Sequence, residues 1–147
     1  MKLPITSGKD NPILRAPSKP VLKMTKKILK LLRDMEETMF AENGVGIAAP
    51  QVGVNLTMAL MLIDQKRVTA IINPKIVAHS SEKEEGEEGC LSLRGQWGKV
   101  ERFTEVVIEF LTPLMEKRTL KLSGFNARIA QHETDHLNGI LFIDRRK

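Results

Sequence analysis

Two histidines stand four residues apart late in the chain, with a glutamate directly after the first: His132-Glu133-Thr134-Asp135-His136. On a helix, residues at i and i+4 lie about one turn apart on one face. Both imidazoles can then grip a single metal ion while Glu133 reaches a water beside it as general base. They are two of only three histidines in the chain, and burying two imidazoles without partners is costly. The metal therefore explains the pair better than chance does. A catalytic metal of this type takes a third protein ligand and keeps one position open. After His136 the sole carboxylate is Asp144, and His79 stands in a polar stretch. The single cysteine, Cys90, lies in Glu88-Gly89-Cys90-Leu91-Ser92. A lone cysteine is usually a small buried hydrophobe, but next to the histidine pair it is the better third ligand, because thiolate is a soft, strong donor.

These residues need elements to hold them. Phe125 to Leu137 reads as a helix, with Phe125, Ile129, His132 and His136 at steps of four, three and four on a face expected to point inward. Asn138-Gly139 should end it. An earlier helix is marked by Met24, Ile28, Leu31, Met35 and Met39, with Lys26, Lys27, Lys30 and Arg33 on its other faces. Asn43-Gly44 should stop that one. Before it, Pro4, Pro12, Pro17 and Pro20 predict an extended arm or an irregular wrapping segment, not a helix. Strands are expected at 57–63 and 68–72, and an antiparallel hairpin from the alternation over 105–110 and 117–122. Glu82, Glu84, Glu85, Glu87 and Glu88 predict a solvated loop. The expectation is one α+β domain over residues 1–147, with antiparallel sheets surrounding a central metal-binding helix and a long N-terminal helix.

Composition narrows the classes. With 41% hydrophobic and 28% charged residues, the chain is neither disordered nor membrane-spanning; no apolar run nears the roughly 20 residues that a bilayer requires. The N-terminus, Met1-Lys2-Leu3-Pro4, lacks a signal-peptide core. The expected address is the cytoplasm, or an organelle in a eukaryote. A net charge of +5 suits acidic partners such as RNA, but five Phe, one Trp and no Tyr make a poor base-stacking platform.

Gly44 to Gln51 reads GVGIAAPQ, a stretch with little side-chain bulk and an approachable backbone. Together with EGCLS at 88–92 and HETDH at 132–136, it forms three motifs whose order and spacing resemble the peptide deformylases; Ile72-Asn73-Pro74, Arg102 and the run from Gln131 to Arg145 resemble them too. The resemblance implies removal of the formyl group from the N-terminal formylmethionine of newly made proteins. It implies Cys90, His132 and His136 as metal ligands, with Fe2+ as native ion and Ni2+, Co2+ or Zn2+ able to replace it. Glu133 would take a proton from water and pass it to the leaving amine. The Gln51 amide and the Leu91 backbone N–H would stabilise the oxyanion, and Val45 and Gly46 would bind the substrate backbone. The implied partners are N-formylmethionyl nascent peptides, with a weak electrostatic ribosome contact in view and neither membrane nor DNA.

Two departures stand out. Where family members often carry proline after EGCLS, this chain has Arg94 next to Gly95, which is expected to place a positive charge at the substrate entrance. The residues after the third motif are too few for the family's C-terminal helix, and catalysis on short peptides is expected not to need Arg145-Arg146-Lys147. Two other readings share some features: a metallopeptidase cutting internal bonds, which lacks its downstream ligand here, and an inactive RNA- or ribosome-binding protein, against which the intact Glu133 and Gln51 argue.

Overall fold

The computed structural model describes residues 1–147. Two short helices, α1 (Pro12–Arg15) and α4 (Phe142–Arg145), accompany two longer ones, α2 (Lys26–Ala41) and α3 (Gly124–Leu137). Strands β1 (Gly46–Ala48), β2 (Met58–Ile63), β3 (Arg67–His79), β6 (Glu105–Leu111) and β7 (Lys117–Ser123) form one antiparallel sheet in the order β1-β2-β3-β6-β7. Strands β4 (Lys83–Glu88) and β5 (Gly98–Phe103) make a second, two-stranded sheet. This is the expected α+β arrangement, with α3 packed against strands of both sheets.

Strand β2 shows how the layers are made. Its residues alternate between two cores: Ala59, Met61 and Ile63 face α3, while Met58 and Leu60 face α2. A strand covered on both sides reads as a continuous apolar run, and Met58 to Ile63 does so. Helix α2 contributes Met35 and Met39 to its side, as the methionine stripe foretold, with Met24, Ile28 and Leu31 of that stripe partly buried; Leu32, outside the stripe, is buried as well. Thr25 caps its first turn, accepting from the Ile28 N–H at 3.1 Å. Its end falls where expected: Asn43 is left-handed (φ 57°) and the Gly44 N–H reaches back to the Met39 carbonyl at 2.8 Å.

Three expectations are corrected. The proline-rich arm is not free of helix, because Pro12 opens α1 and the Asn11 side chain accepts from the Ile13 N–H; proline suits the first helical position, where no donor is lost. Strand β3 runs on to His79, well beyond the apolar run, through a bulge after Ile72. There Asn73 is left-handed (φ 49°) and its amide clamps both the N–H and the carbonyl of Val21 at 2.8 Å. The glutamate-rich segment is strand β4, not a loop: its register with β5 is regular from Lys83↔Phe103 to Glu88↔Gly98. Exposed two-stranded pairing tolerates charged side chains on its open face, so polarity alone misled.

Candidate active site

Helix α3 ends at Leu137 and is capped by Asn138, after which Gly139 (φ 76°) passes so near the chain that a Cβ there would lie 2.3 Å from the Arg15 carbonyl oxygen. The helix is therefore pinned at its C-terminal end, in the turn that carries His136. His132 and His136 sit one turn apart as predicted, with ring centroids 4.9 Å apart. Of the other residues on that expected inward face, Ile129 is buried but Phe125 is 48% exposed and lines the cleft instead.

Cys90 joins the two histidines. Its Sγ lies 3.3 Å from His136 Nε2, and one donor atom from each of Cys90, His132 and His136 falls within 4.8 Å of the others. A tetrahedral ion bound by sulfur at 2.3 Å and nitrogen near 2.0 Å holds those atoms about 3.5 Å apart, so the spacing fits. His79 and Asp144 are elsewhere: His79 is stacked on Phe103 at 3.7 Å, and Asp144 pairs with Arg15.

Behind the cluster of Cys90, His132 and His136 stands a buried ionic network that sequence reasoning missed. Glu88 accepts from Arg102 Nε and Nη2 (2.9 Å each) and from Arg128 Nη1 (2.6 Å), and its Oε1 lies 2.8 Å from His132 Nδ1. Arg102 also reaches Asp135 at 2.5 Å, and Asp135 is held from the other side by Arg145 at 2.6 and 3.0 Å. Burial alone would raise the Glu88 carboxyl, but Arg102 and His132 hold it well below the usual carboxylate range. Glu88 was hidden among four neighbouring glutamates; its place as the first letter of EGCLS was the available signal.

The electrostatics suit a cation. Burial pulls His132 down, yet Cys90 and Glu88 raise it to about 10. His136 is lowered by burial and by His132 beside it. Glu133 is raised to about 7, chiefly by burial. Glu133 Oε1 and His136 Nδ1 are buried with no protein partner. Buried polar atoms are nearly always paired, so these two mark a cluster that the protein's own groups do not complete.

The remaining predicted residues gather here too. Gln51, in a 3-10 turn over Ala49–Val52, accepts the Ala48 N–H with Oε1 at 2.9 Å. That bond turns its Nε2 toward Cys90 Sγ (3.5 Å) and Ser92 Oγ (3.3 Å). The Leu91 N–H donates to no group of the protein. Gly46 abuts Glu133: a Cβ there would stand 2.5 Å from Glu133 Oε2. β1 lies at the edge of its sheet, paired on one side only, and Val45, Gly46, Cys90, Leu91, His132 and Glu133 all line one cavity of about 530 Å3. The positive charge expected from Arg94 is not free: it donates to Glu42 at 2.5 Å.

The family described as polypeptide deformylase matches residues 3–147. A peptide deformylase of Halothermothrix orenii is 45% identical over 136 residues, covering 92% of this chain and 88% of that one. The crystal structure of the peptide deformylase from Thermotoga maritima superposes with a TM-score of 0.95 at 38% identity, covering 100% of this chain and 99% of the other. An actinonin-bound class I type b peptide deformylase from Acinetobacter baumannii gives 0.93 at 39% identity, again covering 100% and 99%. No helix of the chain is long and apolar enough to cross a membrane. With its Cys/His/His cluster, open cleft and family match over nearly every residue, the chain belongs to the polypeptide deformylases, metal-dependent hydrolases that remove the N-formyl group from nascent peptides.

Proposed function

We propose that residues 1–147 act as one catalytic domain in which Cys90, His132 and His136 hold a divalent ion, natively Fe2+, with Ni2+, Co2+ or Zn2+ as substitutes. The observation that carries this is the convergence of those three donors beside the partnerless carboxylate of Glu133. Sulfur with two imidazoles suits first-row ions from iron to zinc. When bound, such an ion supplies Lewis acidity, which makes water acidic enough to ionise near neutral pH.

The chain's own residues do the rest. The formylmethionyl peptide lies along the free edge of β1, paired to the backbone of Val45 and Gly46 as an added strand. The apolar lining from Val45, Leu91 and Ile129 suits a methionine side chain. Glu133, packed on Gly46, takes a proton from the attacking water at its carboxylate. The water oxygen bonds to the formyl carbon, and negative charge develops on the formyl oxygen. Gln51 Nε2–H and the Leu91 N–H donate to it; both donors are fixed before substrate arrives, which is what makes such stabilisation effective. Glu133 then delivers the proton to the methionine nitrogen as the carbon–nitrogen bond breaks, giving formate and a free amine. A carboxylate poised near neutrality by burial is suited to both transfers.

The place of work is the cytoplasm, where nascent chains emerge. Any ribosome contact is weak and electrostatic, and uses exposed cations of α2 such as Lys26, Lys27 and Arg33. Lys30 is already paired with Asp34 at 2.7 Å, and Lys147 with Glu101 at 2.7 Å. The deciding experiment incubates the metal-loaded protein with formylated and acetylated methionyl peptides. Formate release from the formylated peptide alone is expected; internal cleavage, or no reaction, overturns the reading.

A further inference from the structure

Trp97 is the only tryptophan in the chain, and it is 63% exposed while lining the cleft. Exposed though it is, the side chain is seated. Its six-membered ring lies against Gly89, where a Cβ would come within 2.5 Å of Cζ3; only glycine leaves room for it. The backbone of Trp97 is held as well. Arg146 donates to its carbonyl at 3.3 Å and packs its methylenes over Gly98, where a Cβ would clash with Arg146 Cδ at 1.9 Å. A large aromatic face is thus fixed beside the residue that precedes Cys90.

The cleft around that face is mixed, with Glu87, Gln96 and Arg128 lining it beside apolar residues. Arg94, in the same loop, is engaged by Glu42, and Trp97 shares the cleft with the exposed Phe125. Trp97 lies three residues beyond Arg94, in the segment that leads from Cys90 into β5. A peptide paired to β1 carries successive side chains to opposite faces. Once its methionine is seated near Glu133, the next residues pass along the wall that Gly89 and Trp97 form.

We propose that Trp97 determines specificity downstream of the methionine: its open face packs against the side chain of the second or third residue of the formylated peptide and selects apolar and aromatic side chains there. The proposal rests on the formyl-peptide reading of the cleft. Its test compares formyl-Met-Gly-Gly, formyl-Met-Phe-Gly and formyl-Met-Gly-Phe on the metal-loaded protein. One phenylalanine peptide should exceed formyl-Met-Gly-Gly in kcat/KM by about 3- to 10-fold, the scale of an aromatic contact. Trp97→Ala should bring that ratio to about 1, and Trp97→Phe should keep most of it. Because Trp97 is the sole tryptophan, its fluorescence reads the contact directly: the deformylated product with phenylalanine at the preferred position should shift the emission, and Met-Gly-Gly should not. An unchanged ratio in Trp97→Ala, or no emission shift with any phenylalanine peptide, overturns the proposal. Absence of formate from all three peptides with the unaltered protein would instead overturn the reading beneath it.

Discussion

Glu88 Oε1 lies 2.8 Å from Nδ1 of His132, on the side of the ring away from the ion that Nε2 would bind. This bond sets the tautomer and the ring plane, and Arg102 and Arg128 keep the carboxylate charged and in place. Replacing such a partner typically costs about 10- to 100-fold in metal affinity. Glu88→Gln, which retains the shape, is expected to lose metal in that range in a chelator competition. Unaltered affinity would mean that His132 is oriented by packing alone.

Cys90→Ala should lose its ion outright or bind it much more weakly, since two imidazoles remain from a set of three. Elemental analysis of the purified variant reads the outcome. A full complement of metal would remove Cys90 from the ligand set.

Glu133→Ala separates binding from chemistry. Its carboxylate is buried against Gly46 rather than placed among the clustered donors, so the variant should keep its metal. Turnover should fall by about 10²- to 10⁴-fold, the usual worth of a general acid–base group. Near-normal turnover would assign the proton transfers elsewhere.

Gln51→Leu removes one donor while filling the same space. Loss of an oxyanion donor costs about 10²- to 10³-fold in kcat, and KM should move far less. A change confined to KM would make Gln51 a substrate-binding residue only.

Arg145 gains a role that its place in a basic tail did not suggest. It grips Asp135 through two hydrogen bonds, and Asp135 in turn holds Arg102. Because Arg145 is itself 46% exposed, the pair is partly screened. Arg145→Ala should therefore cost on the order of 1 kcal/mol and lower the melting temperature by about 2–4 °C. An unchanged melting curve would show that Arg102 alone suffices to place Asp135.

Much of this site could be read in the order of the residues. The spacing of His132 and His136 dictates a shared helix face whatever the rest of the fold does, and the demand for a third soft ligand leads to Cys90. The strands with alternating or continuous apolar character, β2 and β6, were legible for the same reason: burial writes its period into the side chains. β4 was not, because its cohesion comes from backbone pairing with β5, which leaves no mark on a run of glutamates. Glu88 and Arg102 share that obscurity. Each looks like a surface charge until the other is brought beside it, and that meeting depends on tertiary geometry. Phe125 fell on the right helical stripe yet faces the cleft, since periodicity gives an angle around the helix and not what lies opposite.

β1 is only three residues long. At about 3.3 Å per residue, a peptide paired to it is followed for roughly 10 Å before the edge ends. Everything further along the nascent chain passes out of the cleft unread. Under the formyl-peptide reading, chains that differ beyond their first few residues are therefore expected to share the site, with the length of one strand setting how far the reading extends.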